Sequence, residues 1–176
     1  MAAALVEMVC NLTIGKPAYA EHDRTLREIL DRAGPIRREA VGMAVEDAAA
    51  FSAVIEAYRM PKSTEAEIEA RDERVQAALA GAADVPRRTA AAAISVLDLA
   101  EALAPIGNIN VISDGAAAAG AARGALQAAR LNIEANRTSI RDPALRKALE
   151  ESIEEIGRNL ARADEIVEAV RRRMQA

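Results

Sequence analysis

The chain has 176 residues, enough for one domain that buries its own hydrophobic core. Apolar residues make up 51% of the chain but aromatic residues only 2%, so aliphatic side chains and alanine must fill that core. Alanine is the best helix former and lets helices approach closely, whereas a β-rich domain uses more valine, threonine and aromatic residues. The composition predicts an all-α protein and argues against a β-rich one.

The net charge of −4 comes from 27 acidic and 23 basic residues, which are spread along the whole chain. No basic stripe with interleaved aromatic residues is present, so we expect no nucleic-acid partner. Cys10 and His22 are the only cysteine and the only histidine. The chain cannot supply the roughly four Cys and His ligands that a zinc site usually needs, so we expect no metal.

A single cysteine excludes an intrachain disulfide and fits a reducing compartment. No apolar run reaches the ~20 residues of a membrane span. Residues 1–10 carry Glu7 and lack a basic segment, so they do not form a secretion signal. These features predict a cytoplasmic protein without a membrane partner. His22 has charged neighbours, which favours a solvated residue at a helix start over a catalytic histidine.

Residues 1–13 form the first predicted helix, which Gly15 and Pro17 end. A long periodic segment follows over about 21–58, and its seam residues step by three and four, as in antiparallel helix pairs. Gly34–Pro35 lies within this segment and should kink or split the helix, because proline removes a backbone donor. The seam consists of Leu26, Ile29, Ala33, Ile36, Ala40, Met43, Asp47, Ala50 and Val54.

The next two predicted helices are separated by a proline-containing break. Ser63 or Thr64 begins the first of them, with acidic residues in its opening turn. Residues 83–88 (ADVPRR) then interrupt the chain. Pro86 suits the first turn of the following helix, which ends near Gly107.

Two more helices complete the prediction. The first, over 116–136, is rich in alanine and contains Gly120 and Gly124, each of which costs about 1 kcal/mol relative to alanine. We expect a close helix contact to compensate for them. Apolar residues then recur at helical spacing over 145–174 and predict a long final helix. Residues 1–176 thus form one multihelical bundle of long antiparallel helices, which we expect dimerisation to complete.

Asp47 is the first candidate for a functional residue, because its neighbours at helical spacing in the seam are apolar. A lone buried carboxylate is costly, so we expect Asp47 to be paired, protonated or facing a cavity. The alternatives are a buried, hydrogen-bonded aspartate or a seam that shifts by one position.

A polar segment, residues 107–115 with the sequence GNINVISDG, interrupts the apolar chain. Ser113 or Asp114 lies directly before a helix and is a candidate N-cap. Asn108 and Asn110 point the same way if the segment is extended, and capping does not explain them. Helix N-termini also offer backbone donors to an anionic or electron-rich ligand.

Lys16 and Lys62 each stand alone in a loop at the end of a helix, where a lysine is usually solvated. Together with Asp47, Asn110 and Asp114 they occupy loop or seam positions at which a helical bundle can open a cleft. The residues alone therefore indicate a candidate pocket of carboxylate, amide and lysine groups without naming a reaction.

Several stretches, in this order, resemble one family. They are ALVEMVCNLTIGKPAYA (4–20), EDAAAFSAVIEAYRMPK (46–62), ADVP (83–86), VLDLAEALAPIGNINVISD (96–114) and the final long helix. Together they resemble the cyclodeaminase/cyclohydrolase family of tetrahydrofolate enzymes over essentially the whole chain. MVCNLTIGK and GNINVISD bring the chain nearest to the stand-alone methenyltetrahydrofolate cyclohydrolases of that family.

The resemblance implies a helical homodimer that acts on a one-carbon tetrahydrofolate without a metal or redox cofactor. The implied reaction adds water to the methenyl carbon of 5,10-methenyltetrahydrofolate and opens the ring to 10-formyltetrahydrofolate. That carbon belongs to an amidinium-like cation, so a nearby carboxylate can stabilise it and accept a proton from the attacking water. We assign this role to Asp114 or Asp47.

The same resemblance suggests how the substrate is held. Asn108 and Asn110 would hold the pterin or the formyl oxygen, and Ser113 belongs to the same pocket wall. Lys16 and Lys62 would attract the glutamate carboxylates of the folate.

The chain departs from the family pattern in three places, one of which is Pro35, where the family leads us to expect an unbroken helix. Members usually carry a Gly-Gly-Gly-Ser loop and a preceding helix ahead of the ALVEMV helix, and we expect this chain to begin after that loop. Where the family tends to read Ser-Asp-Ala-Gly, residues 113–116 read Ser-Asp-Gly-Ala.

Three other functions remain open from the sequence, among them a module that binds phosphate or another acidic ligand. A cyclodeaminase would release ammonia from 5-formiminotetrahydrofolate, although no formiminotransferase domain accompanies these residues. A non-catalytic helical scaffold would also fit the alanine-rich surfaces and the regular seams.

Overall fold

The computed structural model describes all 176 residues, and all of its regular secondary structure is helical. The elements are α1 (Ala2–Asn11), a short 3-10 turn (Pro17–His22), α2 (Asp23–Arg59), α3 (Glu65–Leu103), α4 (Ile112–Arg137) and α5 (Pro143–Gln175). The predicted all-α class is confirmed.

The two central helices are α3 and α4, which pack against each other. Helix α5 packs against both of them, α2 packs against α3, and α1 packs against α2, α3 and α4. One cluster of 33 buried aliphatic, alanine and cysteine residues joins these helices. Its largest fully buried side chains are Leu26, Leu97, Leu99, Leu103, Ile112, Leu126, Ile133, Leu149 and Ile156.

The loop after α1 turns where the sequence indicates. Gly15 has φ of 78°, a left-handed conformation that glycine adopts without a steric penalty. Its backbone N–H donates to the Asp23 carboxylate at 3.0 Å, and Pro17 opens the 3-10 turn. These contacts carry the chain from α1 into α2.

Helix α3 is longer than predicted, because the expected break at 83–88 does not occur. Pro86 lies inside the continuous helix, where it cannot donate a hydrogen bond to the Ala82 carbonyl. The side chain of Asn136 in α4 donates to that carbonyl instead, at 3.2 Å. A tertiary contact thus satisfies the acceptor that the proline leaves free.

Helix α2 likewise continues through Pro35, so of the predicted kink or split the split is wrong and the kink stays a prediction. Pro35 and the preceding turn's Asp31 are both exposed, so water can satisfy the carbonyl that loses its partner.

The glycines in α4 also differ from expectation. A Cβ atom at Gly120 or Gly124 would meet nothing within 4 Å, so no close helix contact within the chain accounts for them. Both lie on the exposed face of α4.

The predicted start of α3 is confirmed at Thr64. The Thr64 hydroxyl accepts from the Glu67 backbone N–H at 3.2 Å, and the Glu67 carboxylate accepts from the Thr64 N–H at 3.1 Å. This reciprocal pair is a capping box.

Candidate functional site

A cleft of about 430 Å³ lies between α2, α3, α4 and the start of α1. Its volume is within the usual range for small-molecule sites, roughly 300–1,000 Å³. Eleven of its 21 lining residues are alanine, whose side chains are too short to fill the space between the helices. The alanines come from all four helices: Ala2, Ala3, Ala40, Ala44, Ala92, Ala93, Ala121, Ala122, Ala125, Ala128 and Ala129.

Four polar side chains line this apolar cleft: Arg37, Asp47, Thr89 and Asn132. Two of them are engaged within the chain. The Arg37 Nε donates to Glu7 at 2.6 Å, and the Thr89 hydroxyl donates to the Val85 carbonyl at 3.0 Å. Asp47 and Asn132 make no hydrogen bond or ion pair, so their polar atoms are free for a ligand.

Asp47 is exposed to solvent rather than buried in the helix seam. Residues 44–49 of α2 are all exposed, so the seam opens into the cleft here instead of closing against another helix. Of the expected alternatives, cavity-facing is the one the structure shows. Because Asp47 is exposed, a ligand in the cleft can reach its carboxylate.

An ion-pair cluster fastens α2 to α3 beside the cleft. Arg88 pairs with Glu46 at 2.5 Å and Glu39 at 3.5 Å, both in α2, and with Asp84 at 3.8 Å in its own helix. The hydrogen bond to Glu46 is the main cause that raises the pKa of Arg88 above its ordinary value. Glu46 directly precedes Asp47, so this contact lies next to the cleft carboxylate.

Asn108 lies away from the cleft and is only 2% exposed. Its side-chain NH₂ donates to the Leu12 carbonyl at 3.0 Å, and its backbone N–H donates to the Thr13 hydroxyl at 3.0 Å. Its side-chain oxygen accepts from the Asn110 backbone N–H at 3.1 Å. The amide thus holds the polar segment to the end of α1, and these contacts occupy the groups that were expected to hold substrate.

The rest of the polar segment does not have the expected geometry. It forms turns rather than an extended strand, so Asn110 is exposed while Asn108 is buried. Helix α4 begins at Ile112 after Val111, without a side-chain cap, so the capping role predicted for Ser113 or Asp114 is wrong. Both residues lie in the first turn of the helix.

Asp114 shares a face of α4 with the cleft residue Ala121 but precedes it by two helical turns. The separation is about 10 Å along the helix axis. Asn110, Ser113 and Asp114 do not line the cleft.

The two lysines lie at opposite ends of α2, Lys16 before its start and Lys62 after its end. A helix of this length extends about 55 Å. Within one chain the two side chains therefore cannot hold the same glutamate tail. Both are exposed, and neither lines the cleft.

Of the seven site residues predicted from the sequence, the structure places only Asp47 in the cleft. Asn132 is the residue that sequence reasoning missed. The sequence feature that could have identified it is its spacing from Ala121, Ala125 and Ala128, which places all four residues on the same helix face. Such a face is ordinarily read as a packing surface, and only the open cleft distinguishes it from one.

No group of three or more His, Cys, Asp and Glu side chains is arranged to hold a metal ion. None of the helices is both long enough and apolar enough to cross a membrane.

A model of the formiminotransferase-cyclodeaminase family matches residues 1–155. The chain belongs to this family. Methenyltetrahydrofolate cyclohydrolase of Methylorubrum extorquens is 42% identical over 97% of the chain and 80% of that protein. The family resemblance drawn from the sequence is confirmed.

A solved structure and a mammalian protein are also similar to this chain. The crystal structure of formiminotetrahydrofolate cyclodeaminase from Thermotoga maritima matches with a TM-score of 0.82 and 30% identity, over 99% of this chain and 82% of that one. Formimidoyltransferase-cyclodeaminase of Mus musculus is 28% identical over 84% of the chain, which corresponds to 27% of the mouse protein. The chain thus spans about a quarter of the mouse protein's length.

Proposed function

We propose that this family member hydrolyses 5,10-methenyltetrahydrofolate to 10-formyltetrahydrofolate. The observation that carries the proposal is the 42% identity to the Methylorubrum extorquens cyclohydrolase over nearly the whole chain. The cleft supports it, because its apolar alanine surfaces suit a flat heterocycle and its Asp47 carboxylate is unpaired.

In the proposed mechanism, Asp47 stabilises the cationic methenyl carbon and accepts a proton from the attacking water. The water oxygen bonds to that carbon, and the bond from the carbon to N5 then breaks. Asp47 returns that proton to N5 as the bond breaks, the remaining hydroxyl proton leaves to solvent, and the formyl group stays on N10. General-base assistance of this kind is typically worth ~10²–10⁴ in rate.

Asp114 is the alternative carboxylate, and its position outside the cleft favours Asp47. The test is the near-ultraviolet absorbance of methenyltetrahydrofolate, followed with purified wild type, Asp47→Asn and Asp114→Asn. We expect Asp47→Asn to lose ~10²–10⁴ of the rate and Asp114→Asn to stay within a few-fold of wild type. The reverse order would move the role to Asp114, and full activity in both variants would remove the carboxylate mechanism.

A second activity has an observation in its favour, the structural likeness to the Thermotoga maritima cyclodeaminase. Ammonia release from 5-formiminotetrahydrofolate, measured beside the hydrolysis assay with the same preparation, distinguishes the two. Faster turnover of the formimino substrate would make the chain a cyclodeaminase.

We also propose that the chain forms a homodimer. Three large apolar side chains on one side of α2 are mostly exposed: Val41 at 69%, Val45 at 72% and Phe51 at 65%. Leu131 on α4 is exposed at 63%, and apolar surface of this extent is typical of protein contacts.

Light scattering after size-exclusion chromatography tests the dimer. Val45→Asp with Phe51→Lys should give a monomer, because the change places charges in a contact that excludes water. Ile68→Asp is the matched control, since Ile68 is also exposed but lies on the first turn of α3. A monomeric wild type would overturn the dimer.

The remaining expectations become part of the proposal. The reaction uses no metal and no redox cofactor, because one histidine and one cysteine provide few ligands and water addition transfers no electrons. A cytoplasmic location is supported by the free, buried Cys10. The acidic net charge favours no nucleic-acid partner.

A further inference from the structure

We infer that Asn132 is a second catalytic residue, whose side-chain amide donates a hydrogen bond to the oxygen that is added to the substrate carbon. The inference rests on the proposed hydrolysis and names the group that would act opposite Asp47. It follows from the register of the three helices around the cleft and from the polar groups that remain free there.

One hydrogen bond shows the register of α4 against α3. Asn136 donates to the carbonyl of Ala82 at 3.2 Å, and the two helices run in opposite directions. Asn132 lies one turn before Asn136 in α4, so it lies beside the next turn of α3, which contains Pro86.

The ion pair between Arg88 and Glu46 shows the register of α2 against α3. Asp47 is the next residue of α2 and also lines the cleft. Asp47 and Asn132 therefore lie at the same height along the axis of α3, on the two helices that flank Pro86.

The opposite end of the cleft is apolar apart from Arg37, which Glu7 engages. Ile36, Val96 and Ala121 line it together with the first residues of α1. From Ala121 to Asn132 the cleft follows α4 for about 16 Å. Its polar end carries the Asp47 carboxylate on α2 and the free Asn132 amide on α4, and its apolar end suits the aromatic remainder of a ligand.

The chemistry of the reaction needs two different groups at the polar end. A carboxylate accepts the proton of the attacking water, but it cannot donate to that oxygen when the hydroxyl of the adduct ionises and negative charge develops on it during cleavage of the bond to N5. An amide NH₂ can donate, and the Thr89 hydroxyl already donates to a backbone carbonyl. Asn132 is the uncommitted donor at this end of the cleft.

The test compares Asn132→Leu with Asn136→Leu, an identical change one turn away in the same helix. We expect Asn132→Leu to lower kcat by roughly 10²–10³ with KM within a few-fold, as is typical for removing one donor to a developing oxyanion. Its urea midpoint should match wild type, because Asn132 is exposed and makes no hydrogen bond. Asn136→Leu should keep kcat and unfold at lower urea, because it removes the partner of Ala82.

Each other outcome has a definite meaning. An active wild type with equally active Asn132→Leu would overturn the role of Asn132 and leave the proposed function intact. A change in KM alone would make Asn132 a ground-state binding residue and overturn its action on the reacting oxygen. An inactive wild type would overturn the proposed function and this assignment together.

Discussion

The side-chain amide of Asn108 donates a hydrogen bond to the carbonyl oxygen of Leu12 over 3.0 Å, which joins the loop before α4 to the end of α1. The Thr13 hydroxyl accepts from the Asn108 backbone and donates to the Val9 carbonyl at 2.6 Å. Tyr19 closes the group from the 3-10 turn, because its hydroxyl accepts from the Ile109 backbone at 3.0 Å. The polar segment thus connects three parts of the chain that are far apart in sequence.

Asn108→Ala should destabilise the protein by about 1–3 kcal/mol, because buried partners lose their hydrogen bonds. Urea unfolding followed by circular dichroism measures the change. Asn110→Ala is the control, since its exposed side chain makes no hydrogen bond, and it should stay within about 0.5 kcal/mol of wild type. Equal midpoints for the two variants would contradict the structural role of Asn108.

Gly107→Ala should also destabilise the protein, by about 1–3 kcal/mol. An added Cβ would lie 2.7 Å from Ile112 Cδ1, 3.1 Å from Val9 Cγ1 and 3.2 Å from the Leu103 carbonyl oxygen. Gly81→Ala, inside α3 with nothing within 4 Å of its Cβ, should instead stabilise by about 0.5–1 kcal/mol. Thermal unfolding should therefore give a lower Tm for Gly107→Ala and a higher Tm for Gly81→Ala than for wild type. Equal Tm values would contradict the tight packing around Gly107.

Thr64→Ala should cost about 1 kcal/mol, because it removes the hydroxyl that caps α3. Ser63→Ala should be nearly neutral, since Ser63 contributes only its backbone N–H, which donates to Glu67 at 2.7 Å. Urea midpoints compare the two. A larger loss for Ser63→Ala would show that the helix starts elsewhere.

Burial raises the pKa of the Cys10 thiol to about 11, from an ordinary value of 9.0. The folded protein thus holds the protonated thiol in preference to the thiolate. This contribution to stability is fully present below pH 9 and is lost as the pH rises through 11. Between these values wild type should lose free energy of unfolding more steeply than Cys10→Ala, as urea titrations at several pH values would show. Parallel pH profiles would contradict the burial of a titrating thiol.

Helical character could be predicted residue by residue where local chemistry decides it. The capping box at Thr64 and the turn at Gly15 depend on neighbours three and eight positions away, so the sequence shows them directly. The position of Pro86 inside a continuous helix could not be predicted in this way. Its place inside α3 depends on Asn136, 50 residues further along the chain, which supplies the hydrogen bond to the Ala82 carbonyl.

The candidate site was predictable only in part. Asp47 could be identified because a carboxylate interrupts an apolar seam, and that anomaly is visible in one helix. Asn108 has the same residue type as Asn132, yet the first is buried and bonded while the second is exposed in the cleft. Residue type and spacing do not distinguish them, because the difference lies in which helices cover each side chain.

By itself the sequence determined the all-α class and an apolar interior of aliphatic side chains and alanine, because composition and short-range periodicity specify these. The family followed from the resemblance of its ordered motifs. Only the tertiary structure decided where alanine packs helices together and where it leaves a cleft. Only the fold brought Asp47 of α2 and Asn132 of α4 to one level, because their register is set by contacts between distant residues. The same contacts separate Lys16 from Lys62, since a long rigid helix lies between them.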